Sequence, residues 1–154
     1  MKTEMKKTGM FGLWLLLSSL VLSLSGCDDE KTIGYEDLPG SARAFIEQYF
    51  PGRSVVRAQR EKDDGTRQYE ATLDDGTELS FDASGSWYEV DCKFSLLPEG
   101  IIPETIASDM RTRYPDAAAH KIERQLGGYE ITVNGSLELI YAADGTFICE
   151  QRDY

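Results

Sequence analysis

The carboxylates are the first candidates for chemistry. Glu70 and Glu78, and again Glu130 and Glu138, stand eight residues apart across a Gly-containing turn. In hairpins, each pair would become cross-strand neighbours. Paired carboxyls do acid–base work when one of them has a raised pKa in a dry, concave site. Here they alternate outward on strand-like runs, which reads as a hydrated polar face. His120 is the single histidine, near the start of a strand-like run after Tyr114-Pro115. Alone, it reads as a solvated or packed side chain rather than a base. No G-x-S-x-G, H-E-x-x-H or P-loop pattern occurs. No catalytic residue and no cofactor is expected, and the chain is read as a non-enzyme.

Metal chemistry fares no better. Asp63-Asp64-Gly65, Asp74-Asp75-Gly76 and Asp82 look like calcium ligands at first sight. They lack the D-x-[DN]-x-[DN]-G spacing and the closing Glu of an EF-hand. Asp-Gly is explained by turn chemistry alone. Three cysteines, Cys27, Cys92 and Cys149, show no CxxC and no Cys/His spacing, so zinc has no support. An oxidising compartment permits a Cys92–Cys149 disulfide. Their non-equivalent places in the repeat described next favour two separate, partly buried thiols.

The elements that would position these groups are written twice. Tyr69 to Asp91 reads YEATLDDGTELSFDASGSWYEVD, and Tyr129 to Gln151, 60 positions on, reads YEITVNGSLELIYAADGTFICEQ. An internal period of this length argues for repeated supersecondary units. The first unit opens with Leu38-Pro39 and a helix over residues 40–50, whose Ala42, Phe45, Ile46, Tyr49 and Phe50 form one apolar stripe. Pro51 stops it. The second opens with Ile102-Pro103, carries Ile106, Met110 and Tyr114 on its stripe, and stops at Pro115. Four strands follow each helix: near 54–61, 67–73, 77–83 and 86–91, then near 118–125, 128–133, 137–143 and 146–152. Asp-Gly and Asn-Gly dipeptides punctuate them.

Alternation assigns faces. Tyr69, Ala71 and Leu73 point one way with Leu79 and Phe81, as do Tyr129, Ile131 and Val133 with Leu139 and Tyr141. That parity needs three-residue loops, Asp74-Asp75-Gly76 and Asn134-Gly135-Ser136. In the last strands, alternation puts Trp87 and Glu89 on one face and Tyr88 and Val90 on the other. The expected fold is α+β: two tandem units, each a helix on a four-stranded antiparallel meander, forming one two-layer body with one sheet face open.

The chain opens with a targeting segment. Lys2, Lys6 and Lys7 precede an apolar run, Phe11 to Leu24, too short to span a bilayer and long enough for a signal peptide. Leu24-Ser25-Gly26-Cys27 resembles a lipobox, which makes Cys27 the lipidated residue of a bacterial lipoprotein. Asp28-Asp29-Glu30 then forms a flexible tether and resembles the surface-export signal of some Gram-negative lipoproteins. The resulting division is 1–26 signal peptide, 27–37 acidic tether, 38–91 first unit, 92–100 linker and 101–154 second unit. The expected location is the envelope of a Gram-negative bacterium, facing the periplasm or exposed on the outer membrane.

The whole chain has 16 Lys and Arg against 27 Asp and Glu. Without Lys2, Lys6, Lys7 and Glu4 the balance is 13 against 26, a charge of about −13. Phosphate backbones repel such a chain, so nucleic acid is excluded as a partner. Cationic or neutral partners remain open.

A family resemblance rests on particular residues. These are Lys121-Ile122-Glu123, Gly128-Tyr129-Glu130, Asn134-Gly135, Glu138-Leu139 and Asp144-Gly145-Thr146-Phe147, with the lead-in Trp87 to Lys93. Together they resemble the PepSY-like family of secreted bacterial proteins, also described as β-lactamase-inhibitor-like, over roughly residues 38–153. The resemblance implies a duplicated fold like that of the β-lactamase inhibitor protein, with helices on one sheet face and the other free. It implies no established activity, because fold does not carry function. The expected role is a lipid-anchored binding module that engages or restrains an unknown protein partner. The alternative is an accessory acidic lipoprotein that meets glycan, cations or other envelope proteins. Trp87 is either an anchor on the open face or a core residue packed on the first helix, and Phe147 should share its fate. Ile140 sits among outward positions. These three are the candidate partner-binding residues.

Overall fold

Proline decides where both helices begin and end. In the computed structural model, Pro39 (φ −52°) caps α1 (Gly40–Tyr49) and Pro103 (φ −52°) caps α2 (Glu104–Arg113). The residues before the closing prolines, Phe50 and Tyr114, leave the helical region at φ −127° and −134°. That departure is what a following proline imposes. Their N–H groups donate to the carbonyls of Ile46 and Met110, which tie off the last turns. Ala42 and Ile46 of α1, and Ile106 and Met110 of α2, are buried. The structure describes residues 30–152 apart from 64 and 126. The signal segment, Cys27 and most of the acidic cluster after it lie outside these residues.

Among the described residues the strands are β1 (Lys31–Thr32), β2 (Val55–Asp63), β3 (Thr66–Leu73), β4 (Glu78–Phe81), β5 (Trp87–Asp91), β6 (Ala119–Gln125), β7 (Gly128–Val133), β8 (Leu137–Ala142) and β9 (Phe147–Arg152). They form one sheet in sequence order, each antiparallel to its neighbours. Over the described residues the protein is therefore a mixed fold of two α-helices and a nine-stranded antiparallel sheet. The element order of a helix followed by four strands occurs twice, and the two meanders join edge to edge. Val90 of β5 pairs with Ile122 of β6 to make that seam.

A single core row crosses the sheet. Ala58, Ala71, Leu79, Val90, Ile122, Ile131 and Leu139 oppose one another in succession, and all are buried. The row ends on Glu150 at the rim. Both short loops have the expected length: the Leu73 N–H donates to the Thr77 carbonyl at 2.9 Å, and Val133 opposes Leu137.

The helices pack on the face that holds the core row. The Phe45 ring lies 5.9 Å from Phe81 and 5.8 Å from Trp87. The Ser41 hydroxyl donates to the Ser84 carbonyl, and the Tyr141 hydroxyl donates to Asp109 of α2. Two turn glycines let the helices come this close. A Cβ on Gly85 would lie 2.2 Å from the Ser41 hydroxyl, and one on Gly145 would lie 2.6 Å from that of Thr105.

Two expectations need correction. Strict alternation in the last strands is wrong, because the register shifts between Ser80 and Phe81 and again between Ile140 and Tyr141. Ser80 opposes Glu89 while Phe81 opposes Trp87, so Tyr88 is the extra residue of a bulge. Trp87 and Val90 thus share the core face, and Tyr88 joins Glu89 on the other. The segment 31–37 is also not a bare linker. Lys31 and Thr32 pair with Arg60 and Gln59, Tyr35–Asp37 form a 3-10 turn, and Ile33 and Tyr35 pack on the core. Cys92 and Cys149 are free thiols, the first buried and the second exposed. Four strand spacings, about 19 Å, separate β5 from β9, well beyond disulfide reach.

Candidate functional site: the bare sheet face

The face away from the helices carries two rows of side chains set by register. The first runs Gln59, Glu70, Ser80, Glu89, Glu123, Glu130, Ile140, Cys149. The second runs Arg57, Thr72, Glu78, Asp91, Lys121, Thr132, Glu138, Gln151. Seven carboxylates therefore stand in these rows against Arg57 and Lys121. Glu70 and Glu78, and Glu130 and Glu138, do neighbour each other across hairpins, as their spacing suggests. The seam adds what neither half has alone: Glu89, Glu123 and Glu130 oppose in succession.

Directly opposed like charges destabilise a sheet. Bridging groups offset part of this. Lys121 Nζ lies 3.3 Å from Glu89 and 3.9 Å from Glu123. Burial works against its ammonium, but those carboxylates hold its pKa above the ordinary lysine value. Lys93 Nζ reaches Asp91 at 2.6 Å and Glu78 at 2.9 Å, and these hydrogen bonds raise its pKa strongly. Gln125 donates to Glu130 at 2.8 Å, and Gln151 donates to Glu138 at 2.7 Å. Glu70 and Glu130 remain under stress. Burial first, and then neighbouring carboxylates, push both pKa values up.

The three candidate binding residues are divided between the faces. Trp87 is half-buried on the helix side, with the Arg124 guanidinium 3.9 Å over its ring and Phe45 behind it. Phe147 has the matching setting, under Arg113 at 4.4 Å and beside Tyr141 at 5.4 Å. Only Ile140 of the three stands on the bare face, between Glu130 and Cys149. Sequence reading missed Tyr88, whose hydroxyl donates to Gln68 at 3.0 Å on this face. It also missed Gln59, 6 % exposed and set between Thr32 and Glu70. Tyr88 reaches this face through a bulge, and Gln59 is covered by the pairing of β1 with β2; neither is written in a local pattern.

The carboxylates form a broad field across the sheet rows, with Ser80 set between Glu70 and Glu89. His120 Nε2 is buried without a hydrogen bond among the described residues. Among those residues no three of His, Cys, Asp and Glu are grouped to hold a metal ion. None of their helices is long and apolar enough to cross a membrane.

Known proteins extend this picture. Residues 67–149 match the family described as "Putative beta-lactamase-inhibitor-like, PepSY-like". A "putative periplasmic protein" from Bacteroides vulgatus is 35 % identical with TM-score 0.78, the match covering 82 % of this chain and 100 % of that one. A "putative calcium-regulated periplasmic protein" from Bacteroides thetaiotaomicron is 35 % identical with TM-score 0.76, covering 80 % and 98 %. A second Bacteroides vulgatus structure, described as a "putative periplasmic protein of unknown function", is 34 % identical with TM-score 0.76, covering 79 % and 98 %. No curated protein matches. The sheet, the helices and the residues that carried the resemblance lead to one conclusion: this chain belongs to the PepSY-like family.

Proposed function

We propose that this protein is a non-catalytic binding module of the cell envelope, held to the membrane through Cys27, that engages a cationic protein partner through its bare sheet face. The carrying observation is the seven-carboxylate field in two adjacent rows, with few cations within it. A flat field of one sign speeds encounter with the opposite sign and selects against like-charged partners. The periplasmic descriptions of the solved neighbours agree with this setting. The two halves are read as copies of one helix-and-meander unit, fused so that their open faces form one surface. Trp87 and Phe147 would serve it from behind, by fixing the bulges that turn Tyr88 and Ile148 outward.

One solved neighbour is described as calcium-regulated, which gives a second reading, regulation of the face by a divalent cation. The carboxylate rows favour a diffuse cation effect over a coordinated one.

The test is affinity capture from detergent-solubilised envelope. Wild type is compared with a Glu70→Gln, Glu89→Gln, Glu130→Gln variant, with and without calcium. The reading expects a basic protein on wild type that is lost from the variant and released by salt. The same proteins on both baits would refute the face as the site. Release by millimolar calcium but not by magnesium would favour the second reading.

A further inference from the structure

A cationic groove interrupts this acidic molecule, at the end nearest its tether. The groove, of about 800 Å³, lies over the tip of the β2–β3 hairpin and β1. Four of its lining residues are Lys31, Arg60, Lys62 and Arg67. Register puts all four on one face. Lys31 opposes Arg60, Lys62 opposes Arg67, and Arg60 opposes the core residue Tyr69. They therefore lie on the side opposite the carboxylate rows, past the end of the apolar core.

Two features make this more than a chance of composition. Both cross-strand pairs set like charge directly against like charge, which a sheet tolerates only at a cost. None of the four makes an ion pair among the described residues, although acids outnumber bases about two to one in the mature chain. Among the described residues two acids line the groove. Glu30 is committed to Arg57 at 3.1 Å, and Glu61 opposes Gln68, which register places on the other face. Among the described residues, then, no carboxylate pairs with these four cations, and an anion could use them.

Its position names the occupant. Lys31 is four residues after Cys27, so extended chain separates them by at most about 14 Å. If Cys27 carries the acyl chains, Lys31 stays within about 14 Å of the lipid attachment point, close to the reach of the headgroup charges. We infer that the cationic groove of Lys31, Arg60, Lys62 and Arg67 docks onto the phosphate groups of an anionic bilayer surface, and so holds the acidic sheet face turned away from the membrane. This rests on the lipid-anchor reading proposed above. Basic side chains close to an anionic leaflet gain from its surface potential, and the gain fades within a Debye length of about 10 Å at 0.1 M salt. The same potential repels the carboxylate field, so both effects favour one orientation.

The mature chain supplies its own controls. Of its four lysines, Lys31 and Lys62 line the groove, while Lys93 and Lys121 bridge carboxylates on the other side. The lipoprotein is reconstituted into phosphatidylglycerol or phosphatidylcholine vesicles, and amine acetylation rates are read at each lysine by mass spectrometry. Phosphatidylglycerol is expected to slow Lys31 and Lys62 about fivefold and to leave Lys93 and Lys121 unchanged, with the difference vanishing in 0.5 M salt. Arg60→Glu with Arg67→Glu, both at exposed or half-exposed sites that do not endanger folding, should abolish the slowing at Lys62. Equal rates in the two vesicles, or slowing that survives the double substitution, would overturn the inference. The same slowing by inorganic phosphate in detergent without vesicles would also overturn it, in favour of a free-anion site. The mass of the Cys27 peptide is read in the same digest. An unmodified Cys27 sinks the anchor reading and this inference with it, whereas acylated protein with unprotected lysines sinks this inference alone.

Discussion

β5 and β9 hold the same place after their helices, yet one lies at the middle of the sheet and the other at its rim. Positions 60 apart make the contrast concrete. Val90 is completely buried between Leu79 and Ile122, whereas Glu150 ends the same core row in solvent and accepts a hydrogen bond from the Tyr114 hydroxyl. Glu89 belongs to a run of opposed carboxylates across the seam, while Cys149 has a strand on one side only. β9 is dressed as a rim strand, with a bulge at Ile148 and charges at Glu150 and Arg152. The helix contacts differ in kind too. Phe45 fills the first half with rings around Phe81, whereas Asp109 and Arg113 meet the Tyr141 hydroxyl in the second. Neighbours across the sheet, more than local sequence, decided what each position could hold.

The sharpest way to break this comparison is to exchange the two ends of the core row. Val90→Glu buries a carboxylate in the seam and should cost about 4 kcal/mol or more, enough to unfold a marginal domain. Glu150→Val should change stability by less than about 1 kcal/mol. Chemical denaturation of both variants checks the pair, and equal losses would mean that β9 is not a rim strand.

The turn glycines come next. Gly85 (φ +80°) and Gly145 (φ +87°) both pass under a helix start. Alanine adds left-handed strain of about 1–2 kcal/mol at either site. The contact is tighter at Gly85, where Pro39 Cβ also lies 2.5 Å from the added atom. Gly85→Ala should therefore cost about 3 kcal/mol and Gly145→Ala about 2, as measured by thermal melting.

Hydroxyl exchange at the paired aromatic positions is smaller. Tyr141→Phe removes a 2.9 Å hydrogen bond to Asp109 and should cost about 1 kcal/mol. Removing that bond also lets the Asp109 carboxyl rise from the lowered pKa that Arg113 and Tyr141 give it. Phe81→Tyr in the ring-lined half should cost more, about 2 kcal/mol, because the added hydroxyl has no partner there.

The smallest effect is in pH. Glu70 and Glu130 hold protons more tightly folded than unfolded. Stability therefore falls as pH rises from the ordinary glutamate value through their raised values, and acidifying from pH 7 towards about 5 should raise Tm. Asp75 and Asp82 are opposite. Burial disfavours their charge, but backbone and hydroxyl donors outweigh it and lower both pKa values. Their contribution is complete above the ordinary aspartate value and is lost as pH falls through the lowered ones. A shallow maximum on the acid side of neutrality follows, and Glu70→Gln with Glu130→Gln should flatten its neutral flank.

Much of the fold was legible because it depends on short-range rules. Prolines fixed both helices, Gly turns marked the eight meander strands and both tight loops, and period-two alternation gave the right faces to β3, β4, β7 and β8. Alternation failed at Tyr88 and Ile148, because one extra residue in a bulge inverts the faces and leaves no trace in hydropathy. β1 escaped because Lys31-Thr32 has no apolar pattern; it is placed by backbone pairing with β2 and by the packing of Ile33 and Tyr35 after it. The acidic face was visible as outward glutamates, but its continuity was not. That depends on β5 meeting β6, a contact between residues about thirty apart in sequence. Trp87 stayed open between a surface anchor and a core residue on the first helix, because size alone does not tell which face a bulge selects; it packs on Phe45 of α1.

The bare face as the docking surface is tested most directly by photo-crosslinking in living envelopes. A photoreactive residue replaces Ser80 or Ile140 in the sheet rows, or Ala44 or Ser108 on the exposed sides of the helices. Adducts to a discrete basic protein from Ser80 and Ile140, with none from Ala44 and Ser108, are the predicted result. Adducts from the helix positions, with the sheet positions silent, would contradict it.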